Sequence, residues 1–290
     1  MSGSTLEQPW RLGHGRSIQL DQSRLMGILN ITPDSFSDGG RYNNRDAAVQ
    51  RVLEMQSEGA EIVDVGGEST RPGADRIGVQ EQIDRVAPVI EAIRGASEIL
   101  VSVDTTHAPV AQAAIEAGAN IINDVSAGME DPAILEVAAR ESSGLILMHR
   151  LVSPEQDQYS TAYENPPCYE DVVQDVRDFL QCRARAARAA GVDPASIVLD
   201  PGLGFGKSVD QNWRLIGETS VLIQGEYPHL GAASRKSFLA AICGGTEVPP
   251  ARRGPASVAA SQVQYLGGVR LFRVHDVALH AQGLGLVQGL

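Results

Sequence analysis

The stretch Ser196-Ile-Val-Leu-Asp-Pro-Gly-Leu-Gly-Phe-Gly-Lys207 combines features that recur along this 290-residue chain. It begins with a short apolar run, Ser196–Leu199, which is typical of a strand buried on both faces of a parallel sheet. The run stops at an ionisable residue, Asp200, and a glycine-rich loop follows. This order predicts a buried strand with a polar end that leads through a loop into the next element.

Seven further apolar runs occur along the chain, and amphipathic stretches of helical periodicity separate them. The eight runs are Leu25–Leu29, Glu61–Val65, Ile99–Val103, Asn120–Ile122, Gly144–Met148, Ser196–Leu199, His229–Ala233 and Arg270–Val274. Eight strands alternating with helices predict an α/β fold, a (β/α)₈ TIM barrel, and a doubly wound open sheet is the alternative. The stretch Leu12–Leu20 predicts a short N-terminal β-hairpin that closes the bottom of the barrel. Because no linker interrupts the chain, we predict a single domain over residues 1–290, with its core at about 22–288.

Composition excludes several classes of protein. The chain has 24 Lys and Arg against 36 Asp and Glu, a net charge of −12. So acidic a chain lacks the broad basic face that nucleic-acid binding needs. No apolar run approaches the roughly 18–20 residues of a membrane helix, and the polar N-terminus does not have the layout of a signal peptide. Three widely spaced cysteines suit a reducing compartment. We therefore expect a cytoplasmic protein without nucleic-acid or membrane partners.

Polar or ionisable residues end almost every apolar run. They are Asn30, Asp64, Asp104, Asn123 with Asp124, His149, Asp200, Ser234, and Arg273 with His275. In a TIM barrel the carboxyl ends of the strands meet at one mouth, where active sites are built. Any single Asp or Asn could instead cap the helix that follows it, but capping does not account for the arginine.

Three loops carry glycines and polar residues. The stretch Pro201–Ser208 resembles a phosphate-binding P-loop, but that motif requires a glycine six residues before the lysine, where this chain has Pro201. Its glycines instead permit close backbone approach to a flat ligand. The loop Gly66–Gly73 presents Thr70 and Arg71. The loop Thr32–Gly40 places the apolar Phe36 among turn residues, which a simple surface turn does not explain.

Together these segments resemble the dihydropteroate synthase family. The resemblance covers about residues 24–277, in family order. The matching stretches are Met26-Gly-Ile-Leu-Asn-Ile-Thr-Pro-Asp-Ser-Phe-Ser-Asp-Gly-Gly40, Val63-Asp-Val-Gly-Gly-Glu-Ser-Thr-Arg-Pro-Gly73, Ser102-Val-Asp-Thr105, Ile122-Asn-Asp-Val-Ser126, Leu147-Met-His149, Leu199-Asp-Pro-Gly-Leu-Gly-Phe-Gly-Lys207, Ser234-Arg-Lys-Ser-Phe238 and Arg273-Val-His-Asp276. The resemblance implies a (β/α)₈ barrel that condenses 6-hydroxymethyl-7,8-dihydropterin pyrophosphate with 4-aminobenzoate in folate biosynthesis. It also implies a target of sulfonamides.

The resemblance assigns roles to single residues. The pterin is expected on Asp104, Asn123, Met148, Asp200, Phe205, Gly231, Lys236 and Arg273. Its polar edge needs a partner for each atom, since a missing partner costs roughly 1–3 kcal/mol. The pyrophosphate is expected on Asn30, Thr70, Arg273 and His275, with Mg²⁺ bridging Asn30 and the phosphates. The aminobenzoate slot is expected at Phe36, Pro72 and Ser237. The implied mechanism is dissociative, with Asp38, Arg71 and Lys236 as catalytic residues.

Two other functions remain open. One is a pterin-dependent methyltransferase domain, which shares the barrel, although the Phe36–Asp38 loop favours the synthase. The other is a non-catalytic pterin-binding paralogue. The connection after His149, residues 150–168, departs from the family pattern, so its role is open. The resemblance also implies a homodimer, formed through the predicted helices at Ala256–Leu266 and Val277–Leu286.

Overall fold

Eight parallel strands form the centre of the molecule in a computed structural model that describes residues 8–31 and 41–289, with side chains from residue 45 in the second range. The strands are β1 Arg24–Asn30, β2 Ile62–Gly66, β3 Leu100–Asp104, β4 Ile121–Asp124, β5 Gly144–Met148, β6 Ile197–Asp200, β7 Leu230–Gly231 and β8 Leu271–Val274. Sequential strands pair from β1 to β6, and β8 lies between β7 and β1. A parallel bridge between Leu199 and His229 brings β6 beside β7, so the sheet curls into a barrel.

Helices follow the strands and cover the outside of the sheet. They are α1 Arg41–Ser57, α2 Val79–Ala96, α3 Ala108–Glu116, α4 Ala133–Arg140, α5 Val172–Ala189, α6 Val209–Gly217, α7 Gly254–Leu266 and α8 Val277–Gln288, with a four-residue helix at Thr219–Leu222. Each places an apolar face on the barrel, as α2 does with Val86, Ile90 and Ile93. The predicted TIM barrel is thus confirmed. Among the described helices, none is both long and apolar enough to cross a membrane.

The N-terminal hairpin is also confirmed, and it closes one end of the barrel. Trp10–Arg11 pairs antiparallel with Ser17–Ile18. Trp10 and Leu12 are buried among apolar side chains from the early parts of the strands, such as Ile146 and Val198. The Trp10 indole N–H donates to the backbone oxygen of Ser196 at 2.8 Å. The end at which the strands begin is therefore filled, and the opposite end forms the mouth.

The predicted strands differ from the observed ones mainly where they end. Asp104 and Asp200 are the last residues of β3 and β6 rather than the first residues after them, whereas Asp64 lies inside β2, as its predicted run Glu61–Val65 already had it. The backbone ladder continues through these positions because it does not depend on side-chain polarity, as the pairing of Asp104 with Asn123 shows. β7 spans only two residues of the predicted run His229–Ala233. The extent of a single domain over 1–290 stays a prediction.

Candidate active site

Arg273 makes the central polar contacts at the mouth of the barrel. It lies on β8, and its Nε donates to Asp64 Oδ2 at 2.6 Å, while Nη2 donates to Asp104 Oδ2 at 2.9 Å. The Asn123 amide also donates to Asp64 Oδ2, at 3.1 Å. Both carboxylates and the amide are buried. Side chains from β2, β3, β4 and β8 thereby form one hydrogen-bonded group. Within this group, Asp64 was not among the predicted site residues.

This group contains acceptors without partners. Asp64 Oδ1, Asp104 Oδ1 and Asn123 Oδ1 are buried, and none has a hydrogen-bond partner in the described structure. Leaving a buried acceptor unpaired costs about 1–3 kcal/mol. Burial raises the pKa of Asp104 to about 7, although the charge of Arg273 opposes the increase. The arrangement therefore fits a ligand that presents several N–H donors along one edge.

The loop after β6 has a conformation that requires glycine. Gly202, Gly204 and Gly206 have φ values of +64°, +80° and +59°. A Cβ on Gly202 would lie 1.8 Å from the backbone oxygen of His149. The Gly202 N–H in turn donates to Asp200 Oδ1 at 2.7 Å, which fixes one oxygen of that buried carboxylate. Burial raises the pKa of Asp200, and the charge of Lys236 opposes this shift.

Lys236 lies over this loop from the segment after β7. Its ammonium nitrogen is 4.1 Å from the centroid of the Phe205 ring and donates to the backbone oxygen of Leu203. Burial lowers the pKa of Lys236 to about 8, and the nearby charge of Asp200 opposes the decrease. An ammonium group, an aromatic ring and a carboxylate thus come together on this side of the mouth.

Lys207 stabilises the same loop through hydrogen bonds to its backbone, a role that was not predicted from the sequence. It is fully buried, and its Nζ donates to the oxygens of Gly202 and Phe205 at 3.0 and 2.9 Å. The third contact is His149 Nδ1 at 2.9 Å. Burial, with the charge of Lys207, lowers the pKa of His149 to about 2, so this imidazole is neutral and accepts. The lysine of the rejected P-loop motif supports the loop rather than a phosphate.

The predicted anion site has a positive electrostatic environment. His275 lies after β8, and its backbone N–H donates to Ser234 Oγ at 3.1 Å. Burial lowers the pKa of His275 to about 3, and Arg273, Arg235 and Arg71 lower it further. The burial does not distinguish the sign of a ligand's charge, but the three nearby arginine charges favour an anion. Asn30 ends β1, where its side-chain oxygen lies close to Gly66 at the end of β2.

Ionic contacts anchor the loop that carries Thr70 and Arg71. Arg76 donates to both Glu130 oxygens at 2.9 Å and lies 3.3 Å from Glu68. Glu130 also accepts from Arg150 and Thr106. Burial tends to raise the pKa of Glu130, but hydrogen bonds from Arg76 and Thr106 and the charge of Arg150 outweigh it and lower the pKa to about 2. The loops after β2, β3, β4 and β5 are thereby joined, which no local sequence signal indicated.

The remaining predicted residues are placed as follows. Met148 is buried beside Gly202, Pro72 lies in the loop after β2, and Ser237 begins the 3₁₀ helix Ser237–Ile242 in the connection after β7. A Cβ on Gly231 would lie 2.9 Å from Gln264 on the outer helix α7, so its missing side chain makes room for that helix. Phe36 and Asp38 lie outside the described residues. No group of three His, Cys, Asp or Glu side chains that could hold a metal ion occurs in the described ranges.

Known proteins resemble this chain in both sequence and fold. A family model for pterin binding enzymes matches residues 26–275. Dihydropteroate synthase from Mycobacterium leprae is 46% identical over 268 residues, covering 91% of this chain and 92% of that protein. The structure of Xanthomonas albilineans dihydropteroate synthase with 4-aminobenzoic acid has a TM-score of 0.87 and 40% identity, covering 97% of this chain and 98% of that one. The same enzyme in complex with 7,8-dihydropteroate has a TM-score of 0.82 and 37% identity, covering 95% and 96%.

Proposed function

Because the chain belongs to the pterin-binding enzyme family, we propose that the mouth of its barrel carries out the dihydropteroate synthase reaction. The chain has the activity of a dihydropteroate synthase, a transferase that condenses 6-hydroxymethyl-7,8-dihydropterin pyrophosphate with 4-aminobenzoate and releases pyrophosphate and 7,8-dihydropteroate. The observation that carries the assignment of this reaction to the mouth is the set of unpaired acceptors on Asp64, Asp104 and Asn123.

The polar edge of the pterin presents ring N–H and amino groups, which would donate hydrogen bonds to the unpaired oxygens of Asp64, Asp104 and Asn123. Asp104 and Asn123 face it from β3 and β4, and Asp200 adds a carboxylate from β6. Lys236 donates to the ring carbonyl and a neighbouring nitrogen. Arg273, held flat by its two carboxylate partners, packs its guanidinium group on the ring, a geometry that lysine cannot provide. Met148, Phe205 and the backbone at Gly231 complete the proposed pocket.

The pyrophosphate would lie on the positive side of the mouth, at Asn30, Thr70, Arg273 and His275. Asn30 supplies a hard oxygen ligand, and Mg²⁺ commonly binds one or two protein oxygens together with substrate phosphates and water. The absence of a cluster of three metal-binding side chains in the described residues is therefore no objection to such a metal. When bound, Mg²⁺ neutralises charge on the leaving group.

The proposed mechanism is dissociative. Pyrophosphate leaves first, and the pterin ring delocalises the positive charge at the methylene carbon before the amine of 4-aminobenzoate attacks. Pro72, Ser237 and Phe36 would line the aminobenzoate slot, Asp38 would act near the developing charge, and Arg71 would order the loops. Closure of these loops would exclude water, which otherwise captures the cation.

Product analysis tests this proposal against its alternatives. The purified protein is incubated with pterin pyrophosphate and Mg²⁺, with and without 4-aminobenzoate. We expect 7,8-dihydropteroate only when the amine is present. Pterin binding without turnover would indicate the non-catalytic paralogue. Methyl transfer from a methylated pterin to a corrinoid protein, without formation of dihydropteroate, would indicate the methyltransferase.

The affinity for the pterin is expected to be highest at an intermediate pH and to fall at both lower and higher pH. Asp104, with a pKa of about 7, must be ionised to accept, and Lys236, with a pKa of about 8, must be protonated to donate. The affinity for 6-hydroxymethyl-7,8-dihydropterin should therefore rise as pH increases toward about 7 and fall above about 8, by up to tenfold per unit on each side. Calorimetry from about pH 6 to about pH 9 measures this, and the ligand carries no phosphate that titrates. A flat profile would contradict the assignment of these two groups.

We also propose a homodimer formed through α7 and α8. Leu266 and Leu286 are 69% and 67% exposed, and Val263 and Leu279 are exposed on the same two helices. Replacing both Leu266 and Leu286 with aspartate should convert the dimer to a monomer at micromolar concentration, as sedimentation would measure. Val221→Asp, a similar change on the four-residue helix, should leave the dimer intact. A monomeric unmodified protein would rule out the dimer.

The proposed location is the cytoplasm. Cys168, Cys182 and Cys243 are all free thiols, as a reducing compartment maintains them.

A further inference from the structure

The connection from β5 to α5 contacts the loops after β2 and β6 and the segment after β7. This strand-5 segment, residues 150–168, contains two single-turn 3₁₀ helices, Pro154–Gln156 and Ser160–Ala162. It is the part of the chain that departs from the family pattern. The structure shows that it packs on the mouth of the barrel.

Two contacts hold the strand-5 segment between the loops after β2 and β6. The Gly73 N–H donates to the oxygen of Pro154 at 2.9 Å, next to Pro72 of the proposed aminobenzoate slot. The Gly206 N–H donates to Asp157 Oδ2 at 3.0 Å, and the Tyr163 hydroxyl donates to Asp157 Oδ1 at 2.6 Å. Asp157 is only 8% exposed, so these hydrogen bonds are shielded from water.

A third contact joins the segment to Ser237, on the other side of the proposed slot. The Ser160 backbone N–H donates to Ser237 Oγ at 3.1 Å. Ser160 is itself held by the Asn212 amide, which donates to Ser160 Oγ at 3.2 Å. Asn212 is fully buried on α6, and its oxygen accepts from the Gly204 N–H at 2.7 Å. The position of the Ser160 amide is therefore fixed by the loop after β6 and by α6.

This contact constrains the direction of the Ser237 hydroxyl hydrogen. A serine hydroxyl has one donor hydrogen and two acceptor lone pairs. One lone pair receives the Ser160 N–H, so the hydroxyl hydrogen cannot point along that contact. It donates to no acceptor among the described residues, and Ser237 is only half-buried. The hydroxyl group is thus left with a donor hydrogen that a ligand could use.

We propose that the backbone N–H of Ser160 orients the Ser237 hydroxyl to donate to the carboxylate of the arylamine substrate, which makes the strand-5 segment a specificity element for aryl carboxylates. This inference rests on the proposed function. Ser160 is a positioning residue, since it acts through Ser237. The segment spans the slot from Pro72, through Gly73 and Pro154, to Ser237.

The variant Ser160→Pro removes this N–H and puts the ring Cδ in its place, which displaces the Ser237 hydroxyl because the Ser160 nitrogen lies only 3.1 Å from Ser237 Oγ. Ser160 is the first residue of its 3₁₀ helix, a position that accepts proline. Tyr159 has ψ of 141°, the extended conformation that a residue before proline prefers. Without the N–H, the hydroxyl loses the donor that fixes its direction. We expect KM for 4-aminobenzoate to rise about tenfold, as for loss of one hydrogen bond to a charged group, while KM for the pterin pyrophosphate changes less than about twofold.

Three comparisons separate orientation from structural damage. Ser160→Ala keeps the N–H, so its KM for 4-aminobenzoate should rise far less. With 4-methylaniline, which has no carboxylate, Ser160→Pro should have the kcat/KM of the unmodified enzyme. Adding Ser160→Pro to Ser237→Ala should cause no further loss with 4-aminobenzoate, because the hydroxyl is already absent.

Equal losses with both amines, or additive losses in the double variant, would overturn the inference. If Ser160→Pro does not fold, Tyr163→Phe loosens the same turn from Asp157 and must still raise KM selectively for 4-aminobenzoate. An unchanged KM in Tyr163→Phe would then reject the inference. If the unmodified enzyme formed no dihydropteroate, the proposed function itself would be rejected. Failure of the proposed function is therefore distinguishable from failure of the inference about Ser160.

Discussion

Arg273→Met is expected to lower kcat/KM at least 1000-fold and the free energy of unfolding by about 3–5 kcal/mol, as for removal of one partner from a buried ion pair. Asp64 and Asp104 are nearly inaccessible to water and share this one guanidinium group. Without Arg273 both would be buried without their counter-ion. Urea denaturation and steady-state kinetics would measure the two effects.

The loss of stability in Arg273→Met should increase with pH. Burial already raises the pKa of Asp104 to about 7, and loss of the opposing charge of Arg273 raises it further. A carboxyl whose pKa is raised by folding binds its proton more tightly in the folded state. Its contribution to stability is therefore complete below the unfolded pKa and is lost as pH rises toward the folded pKa. The deficit of the variant should be smallest near pH 4 and larger at pH 8.

Neutralising the carboxylates provides the control for Arg273→Met. Asp64→Asn and Asp104→Asn added to Arg273→Met should restore much of the lost stability, because no buried charge is then unpaired. Activity should remain lost, because neutral amides no longer provide the carboxylate acceptors. Arg273→Lys should recover little activity, since one ammonium cannot reproduce the two-pronged contact. Full stability in Arg273→Met alone would contradict the role given to this ion pair.

Gly202→Ala is expected to destabilise the protein by about 3 kcal/mol or more and to lower kcat/KM about 100-fold. The added methyl group would lie 1.8 Å from the His149 oxygen, at a φ of +64° that alanine disfavours. The loop must move, and that breaks the hydrogen bond from Gly202 N–H to Asp200. Thermal unfolding and pterin binding would show both effects.

Gly95→Ala is the matched control for Gly202→Ala. Gly95 lies in the last turn of α2, and a Cβ there meets no atom within 4 Å. Alanine in a helix is favoured over glycine by about 0.5–1 kcal/mol, so stability should be unchanged or slightly higher. If Gly202→Ala behaved like Gly95→Ala, the close approach of this loop to β5 would be refuted.

The barrel and its mouth were predictable because they follow from local patterns. Short apolar runs define the strands, and residues such as Asp104 and Asn123 end them in a repeated way. The role of Asp64 was not predictable from that pattern, since its partner Arg273 lies 209 residues further along the chain. Only closure of the sheet brings them together.

Lys207 and the strand-5 segment show a second limit. A lysine after glycines suggests phosphate binding from sequence, and only the fold reveals that it is buried among backbone oxygens. The contacts of Ser160 likewise depend on α6 and the segment after β7, which are distant in sequence. Local patterns thus identify which residues form the mouth, whereas burial and long-range pairing determine what each does there.

The hairpin that fills the lower end of the barrel has a consequence for synthesis of the chain. Trp10 is made before the oxygen that accepts its indole hydrogen, because that oxygen belongs to a residue 186 positions later. At about 5–20 residues per second, the ribosome needs roughly 10–40 seconds to reach that residue. During this interval the indole ring cannot bury itself in its final place. The hairpin is thus made well before it can complete its packing, so its apolar side chains stay accessible to chaperones while the rest of the barrel is translated.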